Sequence, residues 1–253
     1  MDAVTRKSIE KQVFNREVNQ ELPDYYSYWD RDLFDRMHAL EYNKDIERFS
    51  ETYLTNKIVL IVGASVSDVD EVIKWTDKIS AMNIAEGEIE LIHKKYPQIN
   101  AFVADAEMLN TGEKYEVIYC HSILHHLFPL DNVIDTLSNH LNQNGILFVP
   151  CEPGIFNPFA YVARKFFSSR EHTPGEVPLN FFAFERLVKR NFNVVESSYY
   201  FLYSMLIPWL ALKIPIFKGA FKPLLEISIQ LEKLLRTLGI LNNLYWVTAG
   251  VYS

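Results

Sequence analysis

Two kinds of apolar pattern alternate through the middle of the chain. Lys57-Ile-Val-Leu-Ile-Val-Gly63 is a short apolar run with no polar interruption, and residues 115–120 are again fully apolar in their middle. A run without alternation predicts a strand buried on both faces. Elsewhere apolar residues recur at helical spacing. Val69, Val72, Ile73 and Trp75 predict a helix over residues 68–79, and a second is expected over 87–95. Residues 78–84 and 100–104 read as the second and third strands, and 115–120 as the fourth. Residues 130–141 form an amphipathic helix that Asn142-Gln-Asn-Gly145 is expected to stop as a C-terminal cap. Residues 145–151 are the fifth strand. Strands and helices alternating at this spacing imply right-handed crossovers and a parallel sheet.

The two ends are less regular. Residues 1–50 are charged and aromatic, with Tyr25, Tyr26, Tyr28 and Trp29 close together, and carry no apolar segment of the secretory kind at their start. Helices are expected over 156–167 and 180–190, with a loop over 168–178. Another helix over 224–238 has Leu224, Ile227, Leu231, Leu234, Leu235 and Leu238 at helical spacing and Gly239 as its stop. Strands over 192–197 and 245–252, joined by this long helical insertion, would extend the sheet as an antiparallel hairpin. Residues 197–212 are the longest strongly apolar uncharged run, short of the roughly 20 residues that span a bilayer. Pro208 interrupts the run, and Lys213, Lys218 and Lys222 follow it. It reads as a buried strand leading into a core or lid helix, with peripheral docking on a membrane as the alternative.

Composition narrows the classes. The formal net charge of the 253 residues is −7, whereas a sequence-neutral nucleic-acid binder carries the opposite sign, so nucleic acid is not an expected partner. Cys120 and Cys151 are the only cysteines, which excludes a disulfide scaffold and fits a reducing, cytoplasmic setting. The 17 Phe, 14 Tyr and 4 Trp exceed what surface positions use, so they line either the core or a pocket for an apolar ligand.

Ligands of an open parallel sheet bind beyond the carboxyl ends of its strands. After the first strand stands Gly63-Ala64-Ser65-Val-Ser67-Asp68, where Gly63 allows a tight turn and Ser65 or Ser67 can cap the next helix. Asn83 and Ile84 follow the second strand, Asp105-Ala106-Glu107 the third, His121-Ser-Ile-Leu-His125-His126-Leu the fourth, and Glu152-Pro the fifth. An amide or carboxylate after the second strand can hold ribose hydroxyls, and a carboxylate after the third can accept an amine hydrogen of adenine.

These residues together resemble class I S-adenosylmethionine-dependent methyltransferases, over residues 57–155 most clearly. The resemblance lies in Leu124-His125-His126-Leu127, in Asp105-Ala106-Glu107, in the stop before Gly145 and in Glu152-Pro. It places the chain in the family's small-molecule subgroup marked by "LHHL". It implies a Rossmann-like, seven-stranded, mostly parallel α/β sheet of order 3-2-1-4-5-7-6 with helices on both faces. The 253 residues would make one domain: a helical cap over 1–50, a cofactor-binding core over 51–155, and a substrate-side insertion with the last two strands over 156–253. The implied cofactor is S-adenosyl-L-methionine, held by Gly63, Ala64, Ser65, Asn83, Ile84, Asp105, Ala106 and His121. The sequence departs from the family where Ser65 and Ser67 replace loop glycines, where Asn83 replaces the ribose acid, and where Ile61 replaces an acidic residue.

Methyl transfer is an in-line displacement that needs proximity, exclusion of water and, for a hydroxyl acceptor, a base. His126 and His121 are the candidate bases, with Glu152 across the same rim to orient a donor hydrogen. A metal-dependent subgroup has an acidic triplet near this turn. Here Ser122, His125 and His126 stand in its place, so no metal is expected. His38, His93 and His140 read as surface groups on helices, while His172 lies in the 168–178 loop. The aromatic residues flanking the core favour a small apolar or aromatic acceptor. The competing expectation is a methyltransferase-like binding or scaffold module with a degenerate cofactor loop, or one that catalyses a different reaction.

Overall fold

Val59–Val62 (β1) lies inside the sheet with a parallel partner on each side, Ile79–Asn83 (β2) and Tyr115–His121 (β4). All four of its residues are buried. Each face of the strand meets a layer of helices, which is why no polar position interrupts the run. This computed structural model describes residues 3–19, 29–161, 176–239 and 241–253. The cluster Tyr25, Tyr26 and Tyr28, His172, and most of the segments expected as helix over 156–167 and loop over 168–178 lie outside the described residues.

The remaining strands are Asn100–Val103 (β3), Leu141–Pro153 (β5), Val194–Tyr200 (β6) and Val247–Tyr252 (β7). The sheet order is β3-β2-β1-β4-β5-β7-β6, with β7 antiparallel to both β5 and β6, as the resemblance implied. Alternate side chains feed two cores. Leu60, Val62, Ile118, Cys120, Leu147 and Val149 meet Leu130–Ser138 (α6) and Phe181–Val188 (α7) on one face. Val59, Ile61, Ala81, Val117, Tyr119 and Phe148 meet Asn43–Leu54 (α3), Val66–Val72 (α4) and Glu86–Lys95 (α5) on the other. A third cluster joins Arg31–Glu41 (α2), Leu206–Lys213 (α8) and Lys218–Thr237 (α9) to Tyr200, Phe201, Trp246 and Ala249.

Four expectations change. The helix after β1 is shorter than 68–79: it runs only Val66–Val72, and Thr76 ends the crossover by donating its hydroxyl to the Lys57 carbonyl at 2.7 Å. Gly145 is not a helix stop. Leu141 is already paired with Tyr115, and the exposed residues 142–144 form a bulge inside β5 before Ile146 pairs with Val117. His38 is not a surface group, because its ring stacks between Phe34 and Phe201 at 4.5 and 4.7 Å, and burial lowers its pKa to about 4. Finally, the leucine stripe of α9 faces outward. Leu224, Ile227, Leu231, Leu234 and Leu238 are 45–67% exposed, whereas the inner face carries Leu225, Ser228, Ile229 and Glu232.

That inner face is polar for a reason. Buried Glu232 accepts the Tyr203 and Ser204 backbone N–H groups, both at 2.6 Å, and the Ser204 hydroxyl. Arg236 donates to the Tyr199 carbonyl at 2.6 Å and to Glu41 at 3.3 Å. Burial, reinforced by Glu232, pushes Glu41 up to about 8.

Ile134 is fully buried between α6 and the sheet. Ile134→Ala is expected to cost about 2–5 kcal/mol of stability, read by denaturant unfolding.

Candidate active site

Parallel register brings the loop residues singled out in the sequence to one rim. Val62 pairs with Met82 and Cys120, and Asn83 pairs with Val103. Gly63, Asn83, Asp105 and His121 therefore follow or end four neighbouring strands. Gly63 has φ of 69°, a left-handed backbone, and a Cβ there would collide with the Ile123 side chain. Any other residue would be strained and would push Ile123 away.

The turn after Gly63 is tightly bonded. Ala64 N–H donates to Met82 at 2.8 Å, and the Asn83 amide donates to the Ala64 carbonyl at 2.9 Å while accepting the Ala85 N–H at 2.8 Å. Asn83 thus clamps β2 to the β1 turn, with one further N–H and one lone pair in its amide. Ile84 is half-buried and Ala106 buried. Ser65 opens α4 through a capping box with Asp68: its hydroxyl accepts the Asp68 N–H, and Asp68 accepts the Ser65 N–H at 2.9 Å. The serines that replace glycines in this loop therefore fasten it, and Ser65 and Ser67 hydroxyls lie 2.8 Å apart.

Asp68 also reaches across to β4, with its Oδ1 2.7 Å from His121 Nδ1. Burial lowers the His121 pKa, but the bonds to Asp68 and Cys151 outweigh it, and the net value lies well above 6.5. Asp68 thus favours the protonated form of His121. Asp68 moves the other way. Burial raises its pKa, His121 and Ser65 lower it more, and the net value falls below 3.8.

Glu152 is fully buried. Its carboxylate accepts the backbone N–H groups of Ile123 at 2.8 Å, Leu124 at 2.7 Å and His125 at 3.3 Å, and contacts His125 Nδ1 at 2.8 Å. These bonds make it the anchor of the turn that follows β4, with no free face toward a substrate. The His125 and His126 rings stack at 4.2 Å. Beside this turn an apolar cavity of about 210 Å³ is lined by Leu124, His125, Leu127, Val177 and Phe184 among others.

The helix Ala3–Asn19 (α1) lies across the rim. Lys11 pairs with Glu86 at 2.7 Å, Lys7 with Asp105 at 2.5 Å and Glu107 at 2.6 Å, and Arg6 with Glu107 at 2.5 Å. Arg6 also donates to the carbonyls of His126 and Phe128 at 3.0 and 2.9 Å. Burial lowers the Lys7 pKa, but the two carboxylates more than offset it. Sequence reasoning passed over Arg6, Lys7 and Asp68. Asp68 had a legible signal, the Ser-x-x-Asp capping pattern, whereas the contacts of Arg6 and Lys7 span about a hundred positions or more. Cys120 and Cys151 lie on the neighbouring strands β4 and β5, and both thiols are free.

No protein-family model and no curated protein matches the chain. Solved structures do match its fold. Magnesium protoporphyrin IX methyltransferase from Synechocystis PCC 6803, with bound S-adenosylhomocysteine, is 11% identical with a TM-score of 0.60, covering 97% of this chain and 98% of that one. The N-methyltransferase NodS from Bradyrhizobium japonicum WM9, in complex with S-adenosylhomocysteine, is 15% identical with a TM-score of 0.57, covering 76% and 91%. Coclaurine N-methyltransferase, bound to N-methylheliamine and S-adenosylhomocysteine, is 14% identical with a TM-score of 0.52, covering 83% and 71%. The chain has the Rossmann-like fold of the S-adenosylmethionine-dependent methyltransferases.

His121 is expected to stay protonated well above pH 6.5, and Asp68→Asn to return its titration toward that value. Imidazole NMR across roughly pH 5–9 reads both. The sign follows from linkage: the pair's full contribution to stability is present below the unfolded histidine value and is lost as pH rises through the raised folded one.

Proposed function

We propose that this chain is an S-adenosylmethionine-dependent methyltransferase acting on a small molecule. The observation that carries the proposal is the row of Gly63, Asn83, Asp105 and His121 at four adjacent strand ends. The rim suits the cofactor in two respects. The left-handed turn at Gly63 lacks a Cβ where backbone must come close, and Asp105 is a partly exposed carboxylate at the other end of the row. When bound, S-adenosylmethionine supplies an electrophilic methyl group. On this reading Gly63, Ala64 and Ser65 face its amino-acid end, Asn83 and Ile84 its ribose, Asp105 and Ala106 its adenine. His121 is oriented by Asp68 at the end of β4. Glu152 positions the acceptor-side turn, and of the sequence candidates His126 keeps a place in the acceptor chemistry. The apolar cavity beside Leu124 and Phe184 favours an apolar or aromatic acceptor.

A second reading rests on the side chains that cover this rim. Ile123 lies against Gly63, and Lys7 and Arg6 span Asp105 and Glu107. A binding module that has lost transfer would look the same. Calorimetric titration with S-adenosylhomocysteine decides between them. Under the first reading the chain binds it, Asp105→Asn weakens binding by about tenfold or more, and labelled methyl groups pass to apolar acceptors. Absence of binding leaves the second.

The outward stripe of α9 supports a peripheral membrane contact, with anionic lipid as the partner. Ile216 and Phe217 protrude at 85% and 60% exposure, Leu224, Ile227 and Leu231 continue the surface, and exposed Lys213, Lys218 and Lys222 border its start. Among the described residues no helix is long and apolar enough to cross a membrane. The chain is expected to co-sediment with phosphatidylserine-containing vesicles and not with phosphatidylcholine alone. Lys213→Glu and Lys222→Glu should each weaken this by fivefold or more, since a basic residue at such a surface contributes about 1 kcal/mol.

A further inference from the structure

Glu176 comes to the turn after β4 from a segment 50 positions downstream. Val177 N–H donates to the His125 carbonyl at 2.9 Å, and Leu179 N–H to the Pro153 carbonyl at 2.8 Å, so the segment is fastened to both β4 and β5 loops. Ligand-capable atoms of His125, His126 and Glu176 all lie within 4.8 Å of one another. The side chains of His125, Glu176 and Glu152 are 7%, 8% and 0% exposed.

The hydrogen bonding around His125 is informative. Nδ1 lies 2.8 Å from Glu152, and Nε2 lies 3.8 Å from the Glu176 carboxylate, too long for a hydrogen bond and within the span of two ligands of one ion. Two ligands about 2.0–2.2 Å from one ion stand about 3.4 Å apart at the tetrahedral angle and at most about 4.3 Å apart. The His125–Glu176 gap falls in that range, and the wider separations in the cluster close with shifts below about 1 Å. A carboxylate on the far nitrogen of a ligating histidine is the usual outer partner at such centres, and Glu152 fills that place.

We propose that His125, His126 and Glu176 bind one divalent first-row transition ion, with zinc as the reference metal. Two imidazoles and one carboxylate suit zinc, iron or cobalt better than magnesium or calcium. Three protein ligands leave a position for water or for an acceptor oxygen, and His125 also lines the apolar cavity. That use of the ion rests on the methyltransferase reading; binding of the ion does not. No metal was expected from the sequence because an acidic triplet is missing from the turn. The fold supplies the carboxylate from elsewhere. Occupancy of His126 by the ion displaces its role as a base, since a ligating nitrogen has no lone pair to offer.

The full chain, stripped with a chelator, is titrated with zinc against a chromophoric competitor, and bound ions are counted by elemental analysis. Cobalt is then added and its visible ligand-field bands recorded. One ion per chain is expected, with affinity lowered at least about tenfold in Glu176→Gln and in His126→Asn, and unchanged in Cys151→Ser. Thermal unfolding of the metal-free variants shows that each remains folded; His125 and Glu152 are avoided because they hold the turn. No zinc above background, or equal affinity in the Glu176 and His126 variants, overturns the site. Affinity for S-adenosylhomocysteine is measured on the same samples. Zinc uptake in a chain that does not bind it supports the metal site and removes only its link to methyl transfer.

Discussion

One buried carboxylate organises the turn that follows β4. Glu152, at the end of β5, accepts three successive backbone N–H groups of the turn that follows β4. A charge with no solvent exposure is tolerable only when its lone pairs are used, and here the turn uses them. In return the turn has a single shape. Ile123 is delivered over Gly63, His125 is bonded through Nδ1, and Ser122 is held with φ of 50° by its N–H bond to the Cys151 carbonyl. The two loops that matter most to the rim are therefore one unit. Disturbing β5 at position 152 would release a segment far larger than the side chain itself.

The rim at the ends of β1 and β3 is organised by a second set of bonds. Asp68 joins the first turn of α4 to Ser65 on one side and to His121 on the other, so β1 and β4 share a charged link across their ends. Above it, α1 carries Lys7 and Arg6 to Asp105 and Glu107. These pairs are short and partly shielded, yet they bridge an added helix to the core rather than one core element to another. Arg6 and Glu107 are 7% and 9% exposed, so their pair is shielded from water rather than screened as a surface pair is. The helix covers the rim while the rim keeps its own internal bonds.

Much of the fold was legible in the sequence because its signals are local. The apolar run of β1 and the apolar middle of β4 report burial on both faces, and the loop residues follow each strand at predictable points. Where the reading failed, the deciding contact was distant. Helical spacing extends to Leu141, whose pairing with Tyr115 cannot be seen from its neighbours. The α9 stripe has helical spacing, but spacing does not say which face the core takes, and buried Glu232 with its Ser204 and Tyr203 partners claims the inner one. The site residues on strand ends were located by topology. Their surroundings were not: His121 meets Asp68, 53 positions away, and the setting of His125 depends on Glu152 and Glu176.

The buried acid at Glu41 alters the molecule as an electrostatic object. The count of −7 treats every carboxylate as ionised and every histidine as neutral. With burial pushing Glu41 up to about 8, the folded chain is about one unit less negative near neutrality than that count. An anionic ligand approaching the strand ends meets a weaker repulsive field than the linear chain advertises, and folding itself provides the difference.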